Sequence, residues 1–245
     1  MAGRRRGECG VALRRFLIVV RAGDRSLHRR WVNDSRARAF DLLVSYYGAQ
    51  PGRYASRAEH YDAWPGPRWP AHDRLWRERR ELFDRYDHVA FVCDDVDADT
   101  RTWNALFRLA DWFGLDLAQA AIDGFANHPI TMPVAGAFLR YTDFVEVMCP
   151  VFSRRALARC GDTFGASVSG WGLEALWTAR LPYPDYRMAI VDRLRVTHTS
   201  RTRGGTLRPV LDALGVEPAA EAKTLLARHG LVAGAPRELA RLSLA

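Results

Sequence analysis

The stretch HVAFVCDDVDAD at residues 88–99 decides how this chain is read. Val89, Ala90, Phe91, Val92 and Cys93 form a short apolar run of the kind that makes a strand buried on both faces. Four carboxylates follow within six residues: Asp94, Asp95, Asp97 and Asp99. A buried strand ending in carboxylates puts negative charge at the C-terminal edge of a sheet, where open α/β sheets bind their ligands. Crowded carboxylates repel one another unless a cation sits among them, and hard divalent cations take oxygen ligands. The same residues also suit a solvated turn or a helix N-terminus, where Asp is a common cap. On the acidic cluster alone the two readings stand level.

Working outward, apolar runs predict further strands at 16–20, 42–46, 117–122, 144–151, 188–191 and 194–197, with helical patterns at 27–40, 74–86, 102–113 and 154–159 and a helix starting at Leu173. Strands alternating with helices give an α/β class, a mixed sheet flanked by helices. The first strand runs into Arg21, Gly23 and Asp24, the opening of a βαβ unit, so these three are candidates for the nucleotide by topology. No GxGxxG is present. Residues 50–76 interleave prolines with Tyr and Trp and read as a packed surface loop. Residues 207–214, 219–229 and 237–244 read as short helices packed on the outside. The expected organisation is a flexible tail at 1–12, a main domain at 13–206 and a helical extension at 207–245.

The 245 residues carry a formal charge of +8, and Lys223 is the only lysine among 36 basic residues. An arginine surplus spread along the chain reads as a coding preference and not as a specific nucleic-acid site, although a basic field attracts any polyanion. The four cysteines show no CxxC spacing, and Cys93 and Cys149 sit in apolar runs. This excludes a zinc knuckle and a disulfide framework and predicts a reducing, cytoplasmic setting. The run at 16–20 is too short for a signal core or a membrane span.

Three features stand to converge in space: the carboxylates at Asp94–Asp97, Glu174 in a GWGLE segment, and His198 after a late strand. Beside them Glu146, a lone charge in an apolar run, needs a partner or a raised pKa. A phosphatase loop is excluded, because Asp99 stands where Thr or Val is needed and the later lysine is missing. A calcium loop is excluded because an aromatic helix follows where ligands are required.

Several segments together carry a family resemblance over about 16–205: YDHVAFVCDDVD at 86–97, LDLAQAAID at 115–123, FVEVMCPVFSRRAL at 144–157, GWGLEALW at 170–177 and AIVDRLRVTHTSRTRGG at 189–205. They resemble the family catalogued as domain of unknown function 707, whose members look like GT-A-type glycosyltransferases. The resemblance implies a GT-A-like mixed sheet, a nucleotide-sugar donor, a glycan or other hydroxyl acceptor, and a Mn2+ or Mg2+ cofactor. It implies metal ligation by Asp95 with Asp94, Asp97 and His198, an acceptor role for the acidic residue Glu174, and a sugar or acceptor wall at Trp171 and Glu146. Arg201 and Arg203 would reach the diphosphate. One departure stands out: Cys93 occupies the first acidic position of the family pattern. The alternatives are a nucleotide or glycan binder of the same fold without turnover and, on charge alone, a nucleic-acid module.

Overall fold

A computed structural model describes residues 14–200 and 207–244. The first strand, β1 (Phe16–Ala22), is buried along its whole length. Its side chains alternate, Ile18 and Val20 entering one core layer and Leu17 and Val19 the other. Strand β2 (Phe40–Tyr46) and strand β4 (His88–Cys93) flank β1 in parallel, and β3 (His60–Ala63) closes that edge beside β2. Beyond β4 the sheet turns mixed. Strand β8 (Val151–Ser153) runs antiparallel between β4 and β6 (Leu117–Gly124), β9 (Met188–His198) lies parallel to β6, and β7 (Ala137–Thr142) and β10 (Glu238–Ser243) complete the order β10-β7-β9-β6-β8-β4-β1-β2-β3. The two-residue β5 (Val96–Asp97) pairs off this path with β9.

Helix α3 (Thr100–Trp112) covers one face through Trp103, Leu106, Phe107 and Ala110. The other face holds α1 (Arg68–Glu78), α2 (Arg80–Phe83), α4 (Arg154–Cys160), α5 (Leu173–Arg180) and α7 (Pro218–Arg228), while α6 (Leu207–Ala213) precedes α7. Phe91 of β4 anchors this second layer, with Phe164 at 4.9 Å and Phe152 at 6.0 Å between ring centroids. Among the described residues no helix is long and apolar enough to cross a membrane, and Cys93, Cys149 and Cys160 are free thiols.

Several local expectations give way to tertiary context. Residues 27–40 are one 3-10 turn (Leu27–Arg30) followed by bends, because the Asp34 carboxylate and the Asn104 amide oxygen take backbone N–H groups that a helix would use. The expected loop at 50–76 contains β3 and the start of α1. Pro70 falls in the first helical turn, where a missing N–H costs nothing. The apolar run at 144–151 is buried but is a strand only from Val151. Pro150 has no N–H to donate, and the preceding carbonyls of Met148 and Pro150 accept from Cys93 and Phe91. The strands expected at 188–191 and 194–197 are one strand, since Asp192, Arg193 and Leu194 bulge out of register with β6. The C-terminal segment is not wholly helical either: residues 237–244 extend the sheet as β10, antiparallel to β7.

The bulge has a structural use. Asp192 accepts two bonds from Arg140 of β7 at 2.9 and 3.0 Å and one from the Val134 N–H at 2.9 Å, and both side chains of the ion pair are almost fully buried. Replacing Asp192 with Ala strands a buried guanidinium. A loss of about 3–5 kcal/mol in the free energy of unfolding is expected by urea titration.

Candidate functional site

Strand direction builds the site. Because β8 is antiparallel to both β4 and β6, while β9 is parallel to β6, the strands β4 and β9 end at the same edge. The chain leaves β4 through Asp94 and Asp95 and returns as β5 with Val96 opposite His198. Thr199 seals the turn, donating to the Asp95 carbonyl from its N–H (3.1 Å) and its hydroxyl (2.7 Å).

The four carboxylates then part company. Asp94 accepts from the Gly23 N–H at 2.8 Å and bridges the ends of β1 and β4. Asp97 alternates away from buried Val96 and pairs with Arg30 on the surface. Asp99 caps α3, accepting from the Thr102 N–H at 2.8 Å. Only Asp95 meets His198, with Oδ2 3.3 Å from Nε2. The expected ligand set of Asp94, Asp95, Asp97 and His198 therefore reduces to Asp95 and His198. Among the described residues no group of three or more His, Cys, Asp and Glu is placed to hold a metal ion.

The remaining pair nevertheless fits a divalent cation. His198 Nδ1 lies 2.8 Å from the Phe125 carbonyl, and as a donor there it leaves Nε2 facing Asp95. Asp95 Oδ1 is buried with no hydrogen-bond partner. A carboxylate and an imidazole so placed are the residues that would hold a divalent cation at this corner. Burial works against charge on both residues. The His198 contact nonetheless holds Asp95 below the usual carboxylate range, and Asp95 holds His198 above the usual imidazole value. Burial, with Asp95 alongside, pushes Asp94 up to about 6.

The residues expected to meet the nucleotide are committed elsewhere. Both terminal nitrogens of Arg21 are spent on Ser45, Trp64 and Gly66, so this buried guanidinium fastens the loop before α1. Gly23 allows close approach: a Cβ there would lie 2.7 Å from the Tyr47 hydroxyl. Asp24 accepts from the Tyr46 hydroxyl and from the Ala49 N–H at 3.2 Å. Arg201 and Arg203 lie outside the described residues.

Cys93 is met by Arg68, the first residue of α1, whose guanidinium donates to Sγ and, at 2.5 Å, to the Val147 carbonyl. Burial pushes the Cys93 thiol up to about 12, so it is a neutral group and not a thiolate ligand. No signal in the sequence singles out Arg68, which comes from the irregular 50–76 stretch.

Glu146 lies beneath the site. It is fully buried, accepting from Asn127 at 2.6 Å and Thr131 at 3.3 Å, while its N–H donates to the Gln119 side chain at 2.6 Å. Burial lifts it to about 7. Its role is to tie the 127–131 loop to β6, not to touch a sugar.

Glu174 borders open space although it is 8% exposed and its Oε2 accepts from the Gly172 N–H at 3.2 Å. Gly170 and Gly172 both adopt left-handed backbone, and a Cβ on Gly170 would lie 2.3 Å from Trp69 Nε1. This tight turn aims Trp171 outward, 41% exposed, and sets Glu174 in the first turn of α5. Helix α7 holds the turn from outside: the Glu221 carboxylate accepts from the N–H groups of Val168 and Ser169 (2.7 and 2.9 Å) and from the hydroxyls of Ser167 and Ser169 (2.9 and 2.6 Å). Glu174 and Trp171 line a cleft of about 1120 Å³ between the 127–128 loop, α5, α6 and α7. Burial, with Glu146 nearby, lifts Glu174 to about 7.

No protein-family model matches the sequence, and no curated protein matches it. Among solved structures, GalNAc-T7 crystallised with UDP, GalNAc and Mn2+ matches with a TM-score of 0.59 at 10% identity, covering 86% of this chain and 47% of that one. The fold is of the GT-A type. This GT-A-type chain thus spans about half the length of GalNAc-T7. Glucosyl-3-phosphoglycerate synthase from Mycobacterium tuberculosis, in complex with Mn2+, UDP and phosphoglyceric acid, superposes less closely (TM-score 0.49, 18% identity, 90% of this chain and 80% of that one).

A carboxyl whose folded pKa is about 7 against an ordinary 4.5 binds its proton more tightly folded than unfolded, so it favours folding at low pH and that contribution fades as pH rises through about 7. Urea titrations across this range are expected to show Glu174→Gln gaining stability relative to the parent as pH rises from about 4.5 to 7, and levelling above that. Parallel pH profiles would show instead that Glu174 ionises normally.

Proposed function

We propose that the chain transfers a sugar from a nucleotide-sugar donor to a hydroxyl acceptor, assisted by a divalent cation, Mn2+ or Mg2+. The observation that carries the reading is the Asp95–His198 pair, with a carboxylate oxygen that lacks a hydrogen-bond partner, where β4 and β9 end at one sheet edge. The fold shared with GalNAc-T7, a structure holding UDP and Mn2+, supports it. So does the resemblance to the domain-of-unknown-function 707 proteins, where we place the chain.

Asp95 and His198 would hold the cation, whose chemistry is to neutralise the diphosphate as it leaves. Two protein ligands suit an ion whose other positions go to phosphate oxygens and water. Cys93, neutral and bonded to Arg68, contributes no ligand, and Arg68 brings positive charge to the corner. Glu174 orients the acceptor hydroxyl and accepts its proton as the oxygen bonds to the sugar carbon, a role suited to a carboxyl near 7.

UDP with Mn2+ is expected to raise Tm by about 5–10 °C at a hundredfold excess over Kd. Either component alone should do much less, and Asp95→Ala or His198→Ala should erase the gain. No shift with any nucleotide sugar and either cation would sink the reading. Cys93 favours a second reading, a binder of the same fold without turnover. Transfer or donor hydrolysis that falls about 100-fold or more in Glu174→Gln, with nucleotide binding intact, separates the enzyme from the binder.

A further inference from the structure

We infer that the acceptor is an amphiphilic alcohol, a hydroxyl carried on an extended apolar chain. The word acceptor rests on the transferase reading above; the apolar site stands on its own geometry. Glu174 sits in the wall of the cleft of about 1120 Å³, at the upper end of what small-molecule sites usually enclose, and far more than one hydroxyl group requires. The rest of the lining is largely apolar, with Phe144, Val147, Trp171, Leu211, Leu226 and Leu231 among its large side chains.

Several of the polar side chains around the cleft are already bonded to the protein. The Thr178 hydroxyl donates to the Asp143 carbonyl at 2.5 Å. The Asp143 carboxylate accepts from Arg237 N and Nε, both at 2.7 Å. Glu217 caps α7 through the Ala220 N–H at 2.7 Å, and Asn127 donates to Glu146. A monosaccharide would bring several hydroxyls to walls that are largely apolar and where several donors and acceptors are taken, and each group left unpaired there costs affinity. A hydrocarbon chain asks nothing of them.

A second space lies beside it. A second cavity of about 460 Å³ shares Trp171, Ala222, Leu226, Leu231, Val232 and Ala233 with the first and runs along α7 to Lys223. Val232, at the junction, is 91% exposed. The two cavities together line one carboxyl with largely apolar walls and lie open to solvent past Val232. That shape matches a long chain with its hydroxyl at Glu174.

Straight-chain 1-alkanols from hexanol to decanol, titrated against the full chain by tryptophan fluorescence, test this. Each added methylene is expected to tighten binding about threefold to fourfold. Leu226→Asp, at a half-buried site, should weaken decanol by about tenfold or more, and Ala222→Leu should shorten the series by filling the apolar space. Glu174→Gln should weaken every alkanol of the series by a similar factor, because each places its hydroxyl at that carboxyl. Affinity independent of chain length, a series unaltered by both apolar-wall variants, or glucose or galactose binding more tightly than decanol would overturn the inference. UDP and Mn2+ binding is measured on the same protein. Its failure beside an intact alkanol series would remove the transferase reading and leave an apolar-chain site.

Discussion

Two strands that run the same way and stop at the same edge are the constraint on which the site depends. Asp95 follows β4 and His198 ends β9, and these strands are not neighbours. The short antiparallel strand β8 lies between β4 and β6, and both reverse direction relative to it, so β6 and then β9 point the same way as β4. The chain after β4 then folds back as β5 and sets Val96 opposite His198. With β5 unpaired, the carboxylate and the imidazole would lack a fixed separation. The three-layer core serves this arrangement by burying β1 and β4 on both faces and leaving their C-terminal ends to polar residues.

The second half of the site depends on close approach. Gly170 packs where no Cβ fits beside Trp69, and the turn it makes is gripped by one carboxylate from α7. The C-terminal region is therefore part of the functional scaffold. Helix α7 contributes buried Leu225 to the core and one wall to the cleft, and β10 extends the sheet.

Desolvation sets the chemical character of these acids more than their mutual charge does. Glu146 and Glu174 are both lifted to about 7 first by burial, yet one is wrapped in side-chain donors and the other borders a cleft. A similar proton affinity thus serves two purposes. At Glu146 it accompanies a network that joins the 127–131 loop to β6, and at Glu174 it leaves a carboxyl near 7 beside the cleft. Asp95 escapes the rise because His198 faces it.

Most of the central buried strands were legible along the chain as apolar runs, and so were the acidic strand end, the glycine-flanked Trp171, Glu174 and His198, since burial of a parallel strand and glycine-rich turns leave local signatures, whereas β3, β7 and β10 were not. The outcome for each aspartate was not. Asp94, Asp95, Asp97 and Asp99 look alike in sequence, but Gly23, His198, Arg30 and the N-terminus of α3 claimed one each. Arg21, marked by topology for a ligand, was drawn inward by carbonyls of a loop more than forty residues away. Arg68 met Cys93 only because α1 docks against the end of β4. The sequence by itself determined the alternation of buried strands and helices and which residue types gather at one edge, because periodicity and backbone preference are local. Tertiary structure alone decided which carboxylate faces the histidine and which acid faces open space, because partners, desolvation and strand direction are settled by residues far apart in the chain.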